Sequence, residues 1–343
     1  MKRNHRRSSA LFVAFLLEVS CGGDRGVGDM TGPSTAAAPV AAPAAPASKP
    51  KHRFVVIPKA RDLPVFAPAK AGAERMAATL GNIEILWRGP ETTDPARQKE
   101  VLESSITEKV DGIAISCVNG DFLTETIDKA VAAGIPVVTW DSDAPKSKRQ
   151  AFYGIDDGAA GKALGEETAR LLGGKGKVAL ITSLGADNLR RRLEGVQEAL
   201  KGHPGINVVE VFDVKDDPAR SAEIIAAETR KHTDLGAWIS VAGFSAITPA
   251  ALEPLDPART RFAGFDTVAP GLEAMKAGKV QVLIGQKYFG WGSEAVKILA
   301  GIKGGKPPAA PIVDSGFDVV TPASLEAYQE AWAQLEKPSA AVP

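Results

Sequence analysis

The 343-residue sequence has no excess of charge of either sign, because 41 lysines and arginines balance 41 aspartates and glutamates. Proteins that bind nucleic acid usually carry a basic excess, so no nucleic-acid partner is expected. Histidine is scarce, and its four occurrences are scattered along the chain: His5, His52, His203 and His232. This spacing forms neither a metal-ligand set nor a Ser-His-Asp arrangement, so we predict no metal site and no cofactor.

Motifs of catalysis are equally sparse. Nothing near Cys117 in the sequence would lower its thiol pKa, so this residue is expected to be small and semi-buried rather than a nucleophile. The stretch "GGKGK" (173–177) follows a helical pattern and precedes a strand, the reverse of a phosphate loop. The stretch "GFSAI" (243–247) lacks the second glycine of a nucleophile elbow. No catalytic constellation remains, and we predict that the chain is not an enzyme.

No segment has the roughly 20 uninterrupted apolar residues that a membrane span needs. At the N-terminus, the basic "MKRNHRRSSA" precedes the short apolar run "LFVAFLLEV", which is typical of an export signal. Cys21 follows this run and resembles the lipidation site of bacterial lipoproteins, although Glu18 stands where that motif prefers an apolar residue. Residues 1–21 are predicted to be a lipoprotein-type signal, with ordinary cleavage near Ser20 as the alternative.

Residues 22–52 are rich in alanine, proline, glycine and serine and offer almost nothing large to bury. Such a composition does not offset its own ordering entropy, so this segment is predicted to be a disordered tether. An export signal followed by a tether places the folded part in the periplasm. A lipid on Cys21 would be its only contact with the membrane.

From Arg53 onward, short apolar runs alternate with helical patterns. Continuously apolar strands are typical of parallel sheets covered by helices on both faces, and about ten strands exceed what one compact doubly wound sheet holds. We therefore predict an α/β fold of two doubly wound, Rossmann-like parallel-sheet lobes, with the break near 141–154. The predicted strands are 53–57, 83–87, 111–116, 135–140, 177–183, 206–212, 236–241, 261–265 and 280–285. The predicted helices are 67–80, 94–109, 121–133, 158–172, 187–201, 217–231, 268–277 and 291–303.

Polar side chains stand where several of these strands end. Ligands of open parallel sheets bind beyond the carboxyl ends of the strands. Carboxylates, amides and a guanidinium satisfy hydroxyls, which both donate and accept, while an aromatic face covers the C–H side of a sugar ring. The candidates are Ser116, Asp141, Asn188, Arg190, Asp266 and Gln286, with Phe66, Trp140, Phe244, Phe265 and Trp291 nearby. The set favours a neutral polyhydroxyl ligand, although an N-cap role alone would also explain Asp266.

The stretch "VQVLIGQKYFGWG" (280–292) places three aromatic residues directly after one of these strand ends. Gln286 is predicted to contact the ligand. For Tyr288 and Trp291 two roles stay open, ligand contact or packing of the following helix. Phe265 points opposite to Asp266 along its strand and is expected in the core.

Several ordered motifs resemble those of the type I periplasmic sugar-binding proteins, the ribose/galactose-binding class, which serves ABC importers and shares its fold with LacI-type ligand domains. The resemblance runs from about Arg53 to Glu336. It rests on "VDGIAIS", "AVAAGIPVVTWDSD", "GIDDGAAGKALGEETARLL", "NLRRRLEGVQEAL" and "FAGFDTVAPGLEAMKAGKVQVLIGQ".

The resemblance implies ligand contacts from both lobes. In the first lobe the matching positions are Phe66, Ser116, Asp141 and Ser142, the last where ribose-type members have arginine. In the second lobe they are Arg190, Asp266 and Gln286, while Asn188 and Arg192 fit a variant spacing equally well. The chain departs most at "VAGFSA" (241–246), where most relatives have an Asn-Asp pair, so that Phe244 would supply bulk in place of an amide.

The family's chain crosses between its lobes three times, which here implies a three-segment hinge near 153–157, 285–289 and 311–316. Lobe 1 would comprise 53–155 and 287–312, and lobe 2 would comprise 156–286 and 313–340. The implied function is a monomeric extracytoplasmic solute-binding protein that delivers a monosaccharide or similar polyol to an ABC importer permease. The alternative is the same domain serving a sensor or chemoreceptor, or binding a non-sugar small molecule. An Asp141–Asp266 hydrolase and a repressor are disfavoured.

Overall fold

The computed structural model describes residues 51–336, which belong to one compact unit. The predicted export signal, Cys21 and nearly all of the predicted tether lie outside the described residues. The tether was predicted to extend to residue 52, but the first strand already begins at His52. Within the described part of the chain, no helix combines the length and the hydropathy that a membrane crossing requires.

The strands and helices alternate along the chain, as the sequence predicts. The strands are β1 His52–Ile57, β2 Ile83–Trp87, β3 Gly112–Ile115, β4 Val137–Trp140, β5 Ala151–Gly154, β6 Lys175–Thr182, β7 Gly205–Asp213, β8 Leu235–Ser240, β9 Arg261–Phe265, β10 Val282–Gly285, β11 Ile312–Asp314 and β12 Asp318–Val320. The helices are α1 Ala67–Leu80, α2 Pro95–Thr107, α3 Gly120–Ala132, α4 Asp157–Leu171, α5 Asp187–Lys201, α6 Pro218–Lys231, α7 Phe244–Ile247, α8 Pro249–Leu252, α9 Ala269–Lys276, α10 Tyr288–Lys303 and α11 Leu325–Glu336.

The strands form two six-stranded sheets, one in each lobe. The order is β11-β5-β4-β3-β1-β2 in the first lobe and β12-β10-β9-β8-β6-β7 in the second. Neighbouring strands pair in parallel, except that β12 runs antiparallel to β10. The central strands are apolar and buried because helices cover both faces of each sheet. The predicted α/β fold with two parallel-sheet lobes is confirmed.

The chain passes between the two sheets three times, between β5 and α4, between β10 and α10, and between β11 and β12. The third crossing follows Asp314, the last residue of β11 in the first lobe, and begins within the predicted range 311–316. Three short strands were missed: β5, β11 and β12. β11 and β12 have only three residues each, too few to show a hydrophobic period, and β11 is mostly exposed. β5 lies within 141–154, the stretch that was interpreted as the break between the lobes.

Helix α11 lies against both lobes. Leu325 and Tyr328 pack on the core of the second lobe. One helical turn further on, Trp332 packs on the core of the first lobe, which also contains Tyr288 and Trp291. The helix therefore joins the two cores beside the crossing segments.

Candidate functional site

The carboxyl ends of the strands of both sheets face a cavity of about 700 Å³, counting the part that is open to solvent. The first lobe lines it with Lys59, Leu63, Pro64, Val65, Phe66, Thr93, Val118, Asp141 and Trp291. The second lobe lines it with Ala186, Asn188, Leu189, Arg192, Asp216, Ala242, Gly243, Phe244, Ile247, Asp266 and Gln286.

Backbone strain is concentrated at this cavity. Asp141 follows β4 with a φ of 57°, and Asp266 follows β9 with a φ of 99°. Asp216, with a φ of 58°, also lines the cavity. Side chains other than glycine rarely adopt positive φ, and such residues cluster at binding sites because the surrounding structure holds them there. The fold therefore uses unfavourable backbone geometry to direct these carboxylates.

In the first lobe, Asp141 is held by two donors. The Ser116 hydroxyl donates to Asp141 Oδ2 at 2.6 Å, and the Lys59 ammonium lies 3.5 Å from the same oxygen. No hydrogen bond to Asp141 Oδ1 occurs among the described residues, so this oxygen is available to a ligand. Ser116 is fully buried beneath the carboxylate and orients it.

Lys59 was not among the predicted site residues. It lies two residues after β1, so the strand-end rule that selected Asp141 would have selected it too. Its ammonium donates to Asn188 Oδ1 across the cavity at 3.1 Å. Because Asn188 belongs to α5, this hydrogen bond joins the two lobes directly.

In the second lobe, Arg192 is the centre of a buried polar network. Its Nε donates to Asp157 Oδ1 at 2.9 Å, and its Nη2 donates to Gln286 Oε1 at 3.1 Å. The guanidinium lies over the Phe265 ring at 4.2 Å. Burial disfavours the charge, but the carboxylates of Asp157 and Asp266 outweigh this effect and raise the pKa of Arg192 above its ordinary value.

Close helix packing places this arginine. A Cβ atom on Gly161 of α4 would overlap the carbonyl group of Arg192, and one on Gly195 of α5 would overlap that of Gly158. Only glycine lets the two helix backbones approach so closely. As a result Arg192 reaches Asp157 in the first turn of α4, a residue that sequence analysis did not select because its partner lies 35 positions away.

Asp266 accepts two hydrogen bonds on one oxygen. Gln286 Nε2 donates to Asp266 Oδ1 at 2.9 Å, and the Tyr288 hydroxyl donates to the same atom at 3.0 Å. Asp266 Oδ2 has no donor among the described residues and lies against Gly243, where a Cβ atom would overlap it. Burial raises the pKa of Asp266 above its ordinary value, against the opposing charge of Arg192.

The structure brings most of the predicted site residues to the cavity: Phe66, Asp141, Asn188, Arg192, Phe244, Asp266 and Gln286. Arg190 is not brought there. It is half exposed and pairs with Asp187 at 2.7 Å and Glu194 at 3.6 Å. Residues 188 and 192 share one face of α5, whereas residue 190 lies about 200° around the helix from residue 188.

Two predicted serines do not line the cavity either. Ser116 is covered by the carboxylate that it orients. Ser142 is buried in the turn after β4, where its backbone carbonyl accepts from the Cys117 amide at 3.0 Å. The turn made by the positive φ of Asp141 directs the chain away from the cavity after that residue.

The aromatic residues divide between wall and core. Phe66, Trp140 and Trp291 pack together with ring centroids 5.6–6.0 Å apart, and of these Phe66 and Trp291 also line the cavity. Phe265 is fully buried, as expected, and so is Tyr288. For Tyr288, packing is therefore the observed role, whereas Trp291 both packs and faces the cavity.

Features associated with other chemistries are absent from residues 51–336. No three His, Cys, Asp or Glu side chains in this range are grouped so that they could hold a metal ion. Cys117 is fully buried rather than semi-buried, and burial raises the pKa of its thiol well above the ordinary value. Such a thiol is protonated and inert at neutral pH.

The model of the periplasmic binding protein domain family matches residues 54–307. The chain belongs to this family. It is therefore a solute-binding protein of the type I class and not an enzyme.

Curated relatives support the same class. The ribose import binding protein RbsB of Salmonella typhimurium is 26% identical over 238 residues, covering 68% of this chain and 79% of that protein. The xylose/arabinose-binding protein XylF of Sulfolobus acidocaldarius is 26% identical over 185 residues, covering 51% of this chain and 46% of that protein. The aligned part thus spans just under half of XylF.

Solved structures agree with the fold. An ABC transporter solute-binding protein from Burkholderia graminis, in complex with D-arabinose, is 31% identical, with a TM-score of 0.78 over 82% of this chain and 99% of that chain. GanP, a glucose-galactose binding protein from Geobacillus stearothermophilus, is 26% identical, with a TM-score of 0.76 over 81% of this chain and 99% of that chain.

Proposed function

We propose that the protein captures a monosaccharide of pentose size between its lobes and delivers it to an ABC importer. The observation that supports this proposal is a set of polar atoms at the cavity that have no hydrogen-bond partner within residues 51–336. Asp141 Oδ1 and Asp266 Oδ2 accept, and Arg192 Nη1 and the Asn188 amide donate. Hydroxyl groups, which donate and accept at once, match such a set. Charged partners make these hydrogen bonds about twice as strong as neutral ones.

The apolar part of the cavity wall limits the number of ligand hydroxyl groups that can be hydrogen-bonded. Val65, Leu189, Phe244 and Ile247 face the cavity with apolar side chains. The segment from Ala242 to Phe244, which lines the cavity, offers no side-chain amide. A hydroxyl directed at this wall would lose its water without gaining a partner, which costs about 1–3 kcal/mol. A sugar with few hydroxyls fits better than a hexose. Relatives named for ribose, xylose and arabinose support this size, whereas GanP is named for the hexoses glucose and galactose.

Capture operates through lobe closure. A sugar that is bound to Asp141 in the first lobe and to Arg192 and Asp266 in the second favours the closed state by the contacts that it makes with both lobes at once. The hydrogen bond between Lys59 and Asn188 joins the two lobes directly and so stabilises the closed state without contacting the ligand. The closed form is the one that a permease would receive.

The protein acts outside the cytoplasm, and we propose that a lipid on Cys21 holds it at the membrane as a monomer. The basic and apolar N-terminal segments and the position of Cys21 support this proposal. A Cys21→Ala variant should leave the membrane fraction of expressing cells, and intact mass measurement of the native chain should show the acyl groups. An unmodified Cys21, or equal membrane association of the variant, would contradict the anchor.

A thermal-shift screen tests the sugar proposal. At a hundred times its dissociation constant, a ligand of the native state adds about 2.7 kcal/mol of stability, which raises the melting temperature visibly. We expect D-arabinose, D-ribose or D-xylose to raise it more than D-glucose does. The Asp266→Ala variant should lose the shift. Shifts with hexoses alone would contradict the pentose assignment, and no shift with any sugar would contradict sugar binding.

A further inference from the structure

Tyr288 connects the candidate ligand site to the first lobe. It is the first residue of α10, directly after the second crossing, and its ring packs in the first-lobe core with Trp291 at 4.8 Å between centroids. Its hydroxyl donates to Asp266 Oδ1 at 3.0 Å and accepts from the backbone amide of Thr267 at 3.0 Å. Asp266 and Thr267 belong to the second lobe, so this hydroxyl bridges the lobes inside the protein.

The hydroxyl and the ring serve different purposes. Phenylalanine would fill the same volume and make nearly the same ring contacts. What it would lack is the second donor to Asp266 Oδ1, the first being Gln286 Nε2, and the acceptor of the Thr267 backbone amide. Two donors on one oxygen fix the rotation of the carboxylate and leave Oδ2 directed at the cavity. The backbone of Asp266 is itself in an unfavourable conformation, so its side chain needs such support.

The bridge continues beyond Tyr288. The hydroxyls of Thr267 and Tyr328 are 2.6 Å apart, and Tyr328 lies on α11, which packs against both lobes. Gly285 closes this space, because a Cβ atom there would lie 2.8 Å from each of these two hydroxyl oxygens. The carboxylate that faces the cavity is thus tied by hydroxyls to the crossing segment and to the helix that joins the cores.

We propose that Tyr288 is a positioning residue for ligand recognition, whose hydroxyl holds the Asp266 carboxylate in its binding orientation and ties it to the first lobe. This inference rests on the proposed sugar function. The charged and titratable groups facing Asp266 are Arg192 on α5, which favours its ionised form, Asp141 beyond β4, which disfavours it, and Tyr328 on α11. The Tyr288 hydrogen bond acts in the same direction as Arg192.

The test compares Tyr288→Phe with Tyr328→Phe, two variants that each remove one buried hydroxyl. Both hydroxyls bond to Thr267, but only the Tyr288 hydroxyl also bonds to Asp266. With D-arabinose as the titrant, we expect the dissociation constant of Tyr288→Phe to rise about tenfold, the usual effect of losing a hydrogen bond to a charged group. The rise for Tyr328→Phe should be smaller.

A second readout needs no ligand. The pKa of Asp266 is raised by burial, so its contribution to stability is present below the unfolded-state pKa and is lost as pH rises through the folded-state pKa. Removal of the Tyr288 hydrogen bond raises the folded-state pKa of Asp266 further, so more stability is lost as pH rises. The melting-temperature gap between wild type and Tyr288→Phe should therefore widen as pH rises above the ordinary pKa of an aspartate, while the gap for Tyr328→Phe stays nearly constant.

The two readouts separate the two proposals. If wild type fails to bind D-arabinose, this sugar is not the ligand. The pH dependence of the melting-temperature difference between wild type and Tyr288→Phe then decides the role of Tyr288 by itself. If wild type binds, an unchanged dissociation constant for Tyr288→Phe overturns the inference. A gap that does not change with pH overturns it in either case.

Discussion

The two lobes present an aspartate at the same kind of place but support it differently. Asp141 follows β4 and is held by the neutral hydroxyl of Ser116, with Lys59 as its ionic partner. Asp266 follows β9 and belongs to a buried network that includes Gln286 and Arg192. The second lobe therefore carries most of a preformed polar site, whereas the first lobe adds aromatic wall and a single cation.

This difference has an energetic side. Charges that are buried together stabilise the fold only while every partner is present, and removal of one leaves the others uncompensated. The Lys59–Asp141 pair is less deeply buried than the Arg192–Asp157 pair, so its loss should destabilise the fold less.

The largest effect is expected for Arg192→Met. Loss of the guanidinium leaves Asp157 with Arg191 as its remaining partner and removes the cation that faces the buried Asp266, so the free energy of unfolding should fall by about 3 kcal/mol in chemical denaturation. Arg190→Met is the matched control on the same helix, and because its ion pairs are exposed it should change stability by less than about 1 kcal/mol. It should also leave sugar affinity unchanged. Equal effects of the two variants would contradict the assignment of Arg192 to the site.

Gly243→Ala should have the next largest effect. The added methyl group would overlap Asp266 Oδ2 and lie 3.0 Å from its Cγ, so the carboxylate has to leave its orientation. We expect the dissociation constant for the preferred pentose to rise about tenfold or more, the equivalent of one lost hydrogen bond to a charged group.

Gly185→Ala is the control for this substitution, because a Cβ atom at Gly185 meets nothing within 4 Å. Isothermal titration of both variants measures the difference. If Gly243→Ala binds as tightly as Gly185→Ala, the described orientation of Asp266 is not the one that binds sugar.

Lys59→Met should have a moderate effect through the first lobe. It removes the hydrogen bond to Asn188 and the ionic partner of Asp141, so the closed state loses a contact between the lobes. We expect the dissociation constant to rise several-fold, the melting temperature to fall by less than for Arg192→Met, and small-angle scattering to show a larger radius of gyration at subsaturating sugar. Lys70→Met, at an exposed position on α1, serves as the control. An unchanged affinity would remove Lys59 from the site.

The pH dependence of sugar affinity should be the smallest effect. Burial raises the pKa of Asp266, so acidification protonates it earlier than an ordinary aspartate. The protonated group cannot accept on both oxygens equally well, and affinity should fall as pH drops through that pKa. Titration at a series of pH values checks this, and constant affinity from neutral to mildly acidic pH would show that Asp266 binds no hydroxyl.

The sequence predicts long elements and strand ends well, because these depend on local pattern. The bounds of β2, β9, α1 and α5 match their predicted ranges, and Asp141 and Asp266 lie where two predicted strands stop. The apolar runs identify these strands without reference to any other part of the chain.

What the sequence does not predict depends on partners far along the chain. To choose between Arg190 and Arg192, one has to know which face of α5 packs against α4. The roles of Asp157 and Tyr288 depend on contacts with residues that are 35 and 22 positions away in the sequence. The strands β11 and β12 have only three residues each and are defined by their neighbours. Lys59 is different, since the strand-end rule was sufficient to find it.

The most direct test of the account is isothermal titration of the purified protein with D-arabinose, D-ribose, D-xylose and D-glucose. We predict that at least one pentose binds, one sugar per chain, more tightly than D-glucose, and that Asp266→Ala and Asp141→Ala each weaken the binding strongly because each lobe contributes a carboxylate. If no pentose binds, or if binding survives in both variants, the cavity between the lobes is not the pentose site proposed here.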